Sequence, residues 1–300
     1  MTTSVRIGVI GGSGFYRMAD VEVLEERELD TPFGTPSGPY VIGRLAEQTV
    51  AFLPRHGVGH RYMPTEINFR ANIYGFKMLG VEWIISVSAV GSMKESIRPG
   101  TMVIPTQFLD RTRLRPRTFF GNGIVAHVSF ADPVCPELSR AIYEAAQAVG
   151  AEVQYGGTYL CIEGPQFSTR AESEVYRQWG VDVIGMTNLP EAWLAREAEI
   201  CYATIAMATD YDCWYEHAEP VTAEMVIATL QRNIQTAQAV VRETMRAFPL
   251  PRTCPCRNAL ENTILTDPEV IPRAAWERVR LLVERYIPED RIAQPGEDPS

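Results

Sequence analysis

Lysine is nearly missing from this chain: Lys77 and Lys94 are the only two among 28 basic residues. Such arginine bias fits genome composition or heat adaptation, and the sequence does not separate them. Positive charge is not in excess either. With 37 acidic side chains and a formal net charge of −9, the chain lacks a general basic field, which argues against binding nucleic acid. No apolar run approaches the length of a membrane span, so no membrane segment is expected. The first apolar run, 7–10, is too short and glycine-flanked for a secretory signal, and the chain reads as cytoplasmic. The six cysteines are scattered, with only Cys254 and Cys256 close together. The paired C-x-x-C or His-rich spacing of a zinc site is absent, so no metal is expected. The glycines after the first strand do not fit G-x-G-x-x-G, and no Gly-Lys-Ser/Thr follows them. A dinucleotide fingerprint and a Walker loop are thereby set aside.

What is present suits a large core: 300 residues, 46% of them hydrophobic. Strand-like runs fall near 5–10, 40–45, 49–53, 83–88, 101–104, 155–162, 183–186 and 201–208. Helical periodicity or capping appears over 65–79, 136–149, 170–179, 190–197, 222–246 and 272–286. Strands alternate with helices, without repeats or a long linker. The expected fold is a single-domain α/β protein: a three-layer α/β/α sandwich around a twisted, mostly parallel mixed sheet. The main domain is expected over 1–250. Residues 251–300 form an extension packed on it, with a polar tail from 288 expected to be disordered. The stretch 110–131 has no clear period and carries Arg111, Arg113, Arg115 and Arg117. Long irregular segments in compact domains are usually functional or at interfaces.

The most informative stretch is IAMATDYDCW, 205–214. An apolar strand runs into Asp210 and Asp212, two carboxylates that project alike if the backbone stays extended. Open α/β sheets bind ligands just past the carboxyl ends of their strands. Other strand ends carry Ser13, Arg55, His56, Ser88 and Thr187. Hydroxyls, one guanidinium and backbone N–H groups suit a dianion of phosphate size. Phe167 offers a flat face to a base, and Met186 a flexible apolar wall. Each feature has a plain alternative: a solvated acidic loop, a glycine turn, a basic loop meeting water. Together they point to phosphorolysis of an N-glycosidic bond.

The stretches IGVIGGSGFY, DTPFGTPSG, PRHGVGHRYMPTEINFRANI, SAVGS, IRPGTMVIPTQFLDRT, IEGPQFSTRAES, MTNLPE and ATDYDCWYEH occur in order over about 5–230. In these the chain resembles the trimeric purine nucleoside phosphorylase family, in its branch that cleaves S-methyl-5′-thioadenosine. The region after about 250 matches poorly. The resemblance implies a phosphate site of Ser13, Arg55, His56, Ser88, the Ala89 backbone and Thr187, with inorganic phosphate as co-substrate and no other cofactor. It implies that Met186 meets the ribose, Phe167 packs on the base and Ser168 lies near its Watson–Crick edge. Asp210 and Asp212 would bind the N7/N6 edge of adenine, and with Ser88 they are the catalytic candidates. Ala223 and Val226 would line the methylthio pocket. His127 would come from the neighbouring subunit of a homotrimer, or of a dimer of trimers. Heat-adapted members carry disulfides, one of them a C-x-C pair; Cys254 with Cys256 resembles it, and Cys135 with Cys201 is a further pairing left open. The rival readings are a phosphorylase of the same fold acting on inosine or guanosine, a non-catalytic nucleotide-binding or oxidoreductase domain, and a silent structural homologue.

Overall fold

The computed structural model describes residues 5–11, 18, 20–215 and 223–292, with the backbone alone over 223–228. Its sheet is built outward from β1 (Ile7–Gly11), which runs parallel to β4 (Gln48–Pro54) on one side and β5 (Trp83–Ser92) on the other. Beyond β4, β3 (Tyr40–Leu45) and β2 (Glu22–Arg27) add an antiparallel meander.

The sheet divides at β5. Along its length β5 pairs in parallel with β11 (Cys201–Tyr211), while Gly91 and Ser92 pair antiparallel with β10 (Val183–Gly185). One branch continues through β9 (Thr158–Ile162) to β7 (Gln107–Arg111). The other continues through β6 (Met102–Ile104) to β8 (Val153–Tyr155). The fork gathers the carboxyl ends of β4, β5, β9, β10 and β11 around one opening.

Both faces of the central strands are apolar, as expected of parallel strands covered on two sides. Ile7, Val9, Trp83 and Ile85 face one core, shared with α2 (Pro136–Ala148) and α5 (Ala223–Arg246). Ile10, Ile84 and Val90 face the other, shared with α1 (Phe69–Met78), α4 (Asn188–Glu197) and α6 (Arg273–Val283). A smaller cluster seats α3 (Arg170–Gln178) through Tyr176. This is the mixed, mostly parallel sheet with flanking helices that the sequence leads one to expect. No helix among the described residues is long and apolar enough to cross a membrane.

Several elements differ from their sequence reading for identifiable reasons. β5 and β11 run on past 88 and 208 because they pair with each other through Ser92 and Tyr211, beyond where hydrophobicity stops. β2 escapes a hydrophobic pattern because four of its six residues are charged, and both Val23 and Leu24 are exposed. The strand expected over 155–162 breaks at Gly156 and Gly157, both at positive φ. Helix α1 is capped by the Asn68 side chain rather than by Thr65, whose hydroxyl instead bonds Glu163 at 2.8 Å. The polar tail holds on further than 288: Ile287 and Ile292 are buried in the same core as Trp276 and Val279. Residues 293–300 lie outside the described residues.

Candidate active site

The opening at the sheet fork is a cavity of about 590 Å³, closed on one side by Leu230 and Ile234 of α5. Ten of the residues picked from the sequence line it: Arg55, His56, Ser88, Ala89, Phe167, Ser168, Met186, Thr187, Asp210 and Asp212. Ser13 lies outside the described residues, as do the side chains of Ala223 and Val226. His127 is exposed and does not line this cavity of its own chain; its backbone N–H donates to Thr263 O at 2.9 Å.

At the polar end, Arg55 follows β4 directly and is buried. Its Nε and Nη2 donate to the two oxygens of Glu191 at 2.7 and 2.9 Å. Nη1 donates to Val87 O at 3.0 Å and Nη2 also to Ser86 Oγ at 2.7 Å. These bonds use all but one of the guanidinium's N–H groups, leaving one on Nη1 for a ligand. Burial opposes the charge of Arg55, but Glu191 outweighs it and holds the pKa above its ordinary value. Glu191 Oε1 accepts further bonds from Ser86 and Tyr202 hydroxyls at 3.0 and 2.8 Å. Much of the arginine's charge is therefore balanced within the protein, and other polar groups stand beside it.

Those neighbours are His56 and two hydroxyls. His56 Nδ1 donates to Tyr62 O at 2.9 Å, since a carbonyl can only accept, and this leaves Nε2 as an acceptor in the neutral ring. Burial, with the charges of Arg55 and Arg115, lowers its pKa to about 4. The ring stacks on His60 at 4.2 Å. Ser88 is buried with its hydroxyl 3.4 Å from that of Tyr159, whose pKa burial raises to about 12. Thr187 Oγ1 is buried and has no hydrogen-bond partner within the described structure. Unmade bonds of this kind are costly, so the hydroxyl is suited to a ligand.

At the far end Asp210 sits at the end of β11 and Asp212 follows just past it. A register shift between Ala208 and Asp210 turns the strand there, and Asp212 N–H returns to Ser92 O at 3.0 Å. Asp210 Oδ2 accepts from the Thr209 hydroxyl at 2.6 Å. Burial, resisted by that bond and reinforced by Asp212, raises the pKa of Asp210. Asp212 Oδ2 accepts from Ser173 Oγ of α3 at 2.6 Å. Between the acids lies Gly91, where an added Cβ would meet Asp210 Oδ1 at 3.4 Å, Asp212 Cβ at 3.5 Å and Ile184 at 3.2 Å. Phe167 stands 83% exposed at the mouth, just ahead of the Thr169–Glu172 capping box of α3. Ser168 Oγ is buried without a partner.

The residues that escaped the sequence reading are mostly those that hold others in place. Arg115, from the irregular arginine segment, donates through Nη1 to Met186 O and Leu189 O, both at 2.7 Å, and through Nη2 to Glu163 O at 2.7 Å. It also pairs with Glu163 Oε1 at 3.1 Å. One side chain thereby ties the turn before Phe167 to the segment carrying Met186 and Thr187. The irregularity of 110–131 was a signal that the segment mattered, but nothing in it singled out Arg115.

A strand-end cavity with a buried arginine and hydroxyls at one end and paired acids at the other defines a class. Residues 6–246 match the family model described as the phosphorylase superfamily, and the chain belongs to that family. Within it, the chain is 57% identical over 285 residues to the S-methyl-5′-thioadenosine phosphorylase of Koribacter versatilis, covering 95% of this chain and 98% of the relative. It is 56% identical over 282 residues to the enzyme of that name from Geobacter sulfurreducens, covering 94% and 99%. Its fold matches the crystal structure of a methylthioadenosine phosphorylase from an antarctic soil metagenomic library, with TM-score 0.88 and 47% identity over 93% of this chain and 99% of that one. A mutant of the adenosine/methylthioadenosine phosphorylase of Schistosoma mansoni, solved with methylthioadenosine, matches with TM-score 0.77 and 34% identity over 81% and 91%.

Proposed function

We propose that this cavity cleaves S-methyl-5′-thioadenosine with inorganic phosphate, giving adenine and 5-methylthioribose 1-phosphate. The observation that carries the reading is the pairing of an anion end, with its unpartnered Thr187 hydroxyl, and the two acids in one cavity. The activity named for the relatives agrees with it.

In this reading phosphate binds to Arg55 Nη1, His56, Ser88, Thr187, the Ala89 backbone and Ser13. The ribose lies on Met186 and the base on Phe167, with Ser168 near its Watson–Crick edge. As the glycosidic bond stretches, the sugar gains positive charge and the purine becomes electron-rich. Asp210, whose pKa burial raises, supplies the hydrogen bond or a shared proton at N7 and stabilises the leaving base. Asp212, held by Ser173, accepts from the exocyclic amine. Phosphate, fixed beneath the sugar, steadies its charge and captures C1′. No step is routed through a metal or an organic cofactor. Two acids at the base edge favour a 6-aminopurine, because an ionised acid facing O6 of a 6-oxopurine would repel it. Ala223 and Val226 supply an apolar lining suited to a methylthio group.

The same reading includes a homotrimer, in which His127 of one subunit closes the 5′ end of its neighbour's site; the exposure of His127 and Phe167 supports it. It also includes a main domain over 1–250 with 251–300 packed on it, and a cytoplasmic setting. Light scattering tests the trimer, and cell fractionation the location. The activity is tested by ultraviolet detection of base release from methylthioadenosine, inosine and guanosine, with and without phosphate. Phosphate-dependent release of adenine is expected. A preference for inosine or guanosine would overturn the base assignment, and a preference for adenosine over methylthioadenosine would overturn the 5′ assignment.

A further inference from the structure

Cysteines far apart in sequence meet behind the opposite end of the sheet. Cys135 caps α2, Cys201 opens β11, and Cys254 and Cys256 flank Pro255 at a short 3-10 turn, Pro255–Asn258, behind α5. All four are buried. Their sulfur atoms lie within 4.8 Å of one another, and Cys201 and Cys254 approach to 3.3 Å. Cys161 is buried elsewhere, bonded to Leu189 O at 3.6 Å, and Cys213 is exposed. The C-x-C spacing gave no zinc signature because two of the four ligands come from other elements, which only the fold brings near.

We propose that Cys135, Cys201, Cys254 and Cys256 form a closed tetrathiolate site for one zinc ion. A tetrahedral site with zinc–sulfur bonds of about 2.3 Å sets its sulfurs about 3.8 Å apart, within the span between the shortest and longest separations here. Four thiols packed together are otherwise poorly used. They are weak donors and acceptors that satisfy little of one another's hydrogen bonding, and a core would gain as much from methyl groups. Soft sulfur ligands without oxygen or nitrogen favour zinc over magnesium, calcium or manganese. Four protein ligands leave no open position, so the site is structural rather than catalytic.

The Arg196 guanidinium is close enough to the cluster to act on Cys256. Arg196 is fixed by Ser129 O at 3.1 Å and Asp132 O at 2.7 Å, so its charge is available to balance a dianionic zinc tetrathiolate. Binding would release one proton for each thiol ionised, with no change in oxidation state. Its effect would be to pin the connector after α5 and the start of α2 to the first residue of β11, the strand that carries Asp210.

The test uses the full chain, purified under reductant without a metal-affinity column. Elemental analysis is expected to find one zinc per chain. After chelation, titration with Co2+ should give the visible bands of a tetrahedral ion and the near-ultraviolet thiolate-to-cobalt charge-transfer band, saturating at one equivalent and reversed by Zn2+. Cys256→Ser should lose the bound zinc, and Cys213→Ser should keep it. Should Cys256→Ser not fold, the cobalt spectrum of the unsubstituted chain decides. Removal of the metal should lower the melting temperature, and zinc should restore it. Failure to bind either metal at equimolar concentration under reductant would overturn the proposal. So would an intact mass short of four hydrogens in anaerobically purified protein, which would mean two disulfides instead. Cobalt bound without the thiolate band would equally place the metal elsewhere.

Discussion

Arg55 and Glu191 grip each other through a two-point ion pair, Nε to Oε2 at 2.7 Å and Nη2 to Oε1 at 2.9 Å, with both side chains buried. Glu191 thus decides where the arginine's remaining Nη1 hydrogen points. Breaking a buried pair by removing one partner costs about 3–5 kcal/mol, because the other charge is left uncompensated. Glu191→Ala should therefore destabilise the chain on that scale in urea unfolding. Glu191→Gln, which keeps the volume and one acceptor, should fold better yet raise the KM for phosphate more than that for the nucleoside. Wild-type stability and phosphate KM in both variants would show that the pair does not orient the anion site.

Asp210 has a raised pKa because burial and Asp212 both disfavour its ionised form, against the Thr209 hydroxyl bond. Asp210→Asn keeps the shape but removes the transferable proton. General acid help of this kind is typically worth about 10²–10⁴-fold, so kcat for methylthioadenosine should fall within that range. The amide can donate toward O6, so the rate with inosine relative to methylthioadenosine should rise. Equal losses on both substrates would contradict the assignment of Asp210 to the base edge.

Much of this architecture could be read in the chain because burial leaves a pattern. β1, β5 and β11 are nearly continuous apolar runs, and their polar ends pointed to the cavity before any geometry was known. Arg55, Thr187 and Asp210 stood out as polar residues abutting such runs. Glu191 and Arg115 did not. Their work is done through contacts across 136 residues for Arg55 with Glu191 and 74 for Arg115 with Leu189, which no local window contains. The exposed edge strand β2 was unreadable for another reason: a strand exposed on an edge need not alternate. The four clustered cysteines belong with the long-range contacts, since their spacing in sequence resembles no ligand motif.

Gly91 makes a sharper test of the space between the acids. Its φ is not in the left-handed region, so alanine is not excluded by backbone strain. An added Cβ would stand 3.2 Å from Ile184 Cγ2 and 3.4 Å from Asp210 Oδ1, tight contacts that crowd the base edge without removing a polar group. Gly91→Ala should raise the KM for the nucleoside several-fold, by about 1 kcal/mol of lost fit, and leave the phosphate KM near that of the parent. An unchanged nucleoside KM would mean that the base does not sit against this strand.

The pH response of the anion end follows from His56. Its folded pKa is lowered from 6.5 to about 4, first by burial and then by neighbouring positive charge, while the Tyr62 carbonyl works the other way. The unfolded chain therefore binds a proton that the folded chain refuses over that interval. The stability linked to this residue is in full force above 6.5 and is lost as the pH falls toward about 4. His56→Asn, which can still donate to Tyr62 O, should flatten that part of the stability profile in denaturant titrations. Bound phosphate reverses the local electrostatics, because a dianion beside Nε2 favours the imidazolium. Binding of sulfate, a dianion that keeps its charge in this range and stands in for phosphate, should then draw a proton from solvent at mildly acidic pH. Calorimetry in two buffers of different ionisation enthalpy should show unequal heats for the parent and equal heats for His56→Asn. Equal heats in the parent would remove His56 from the phosphate's immediate surroundings.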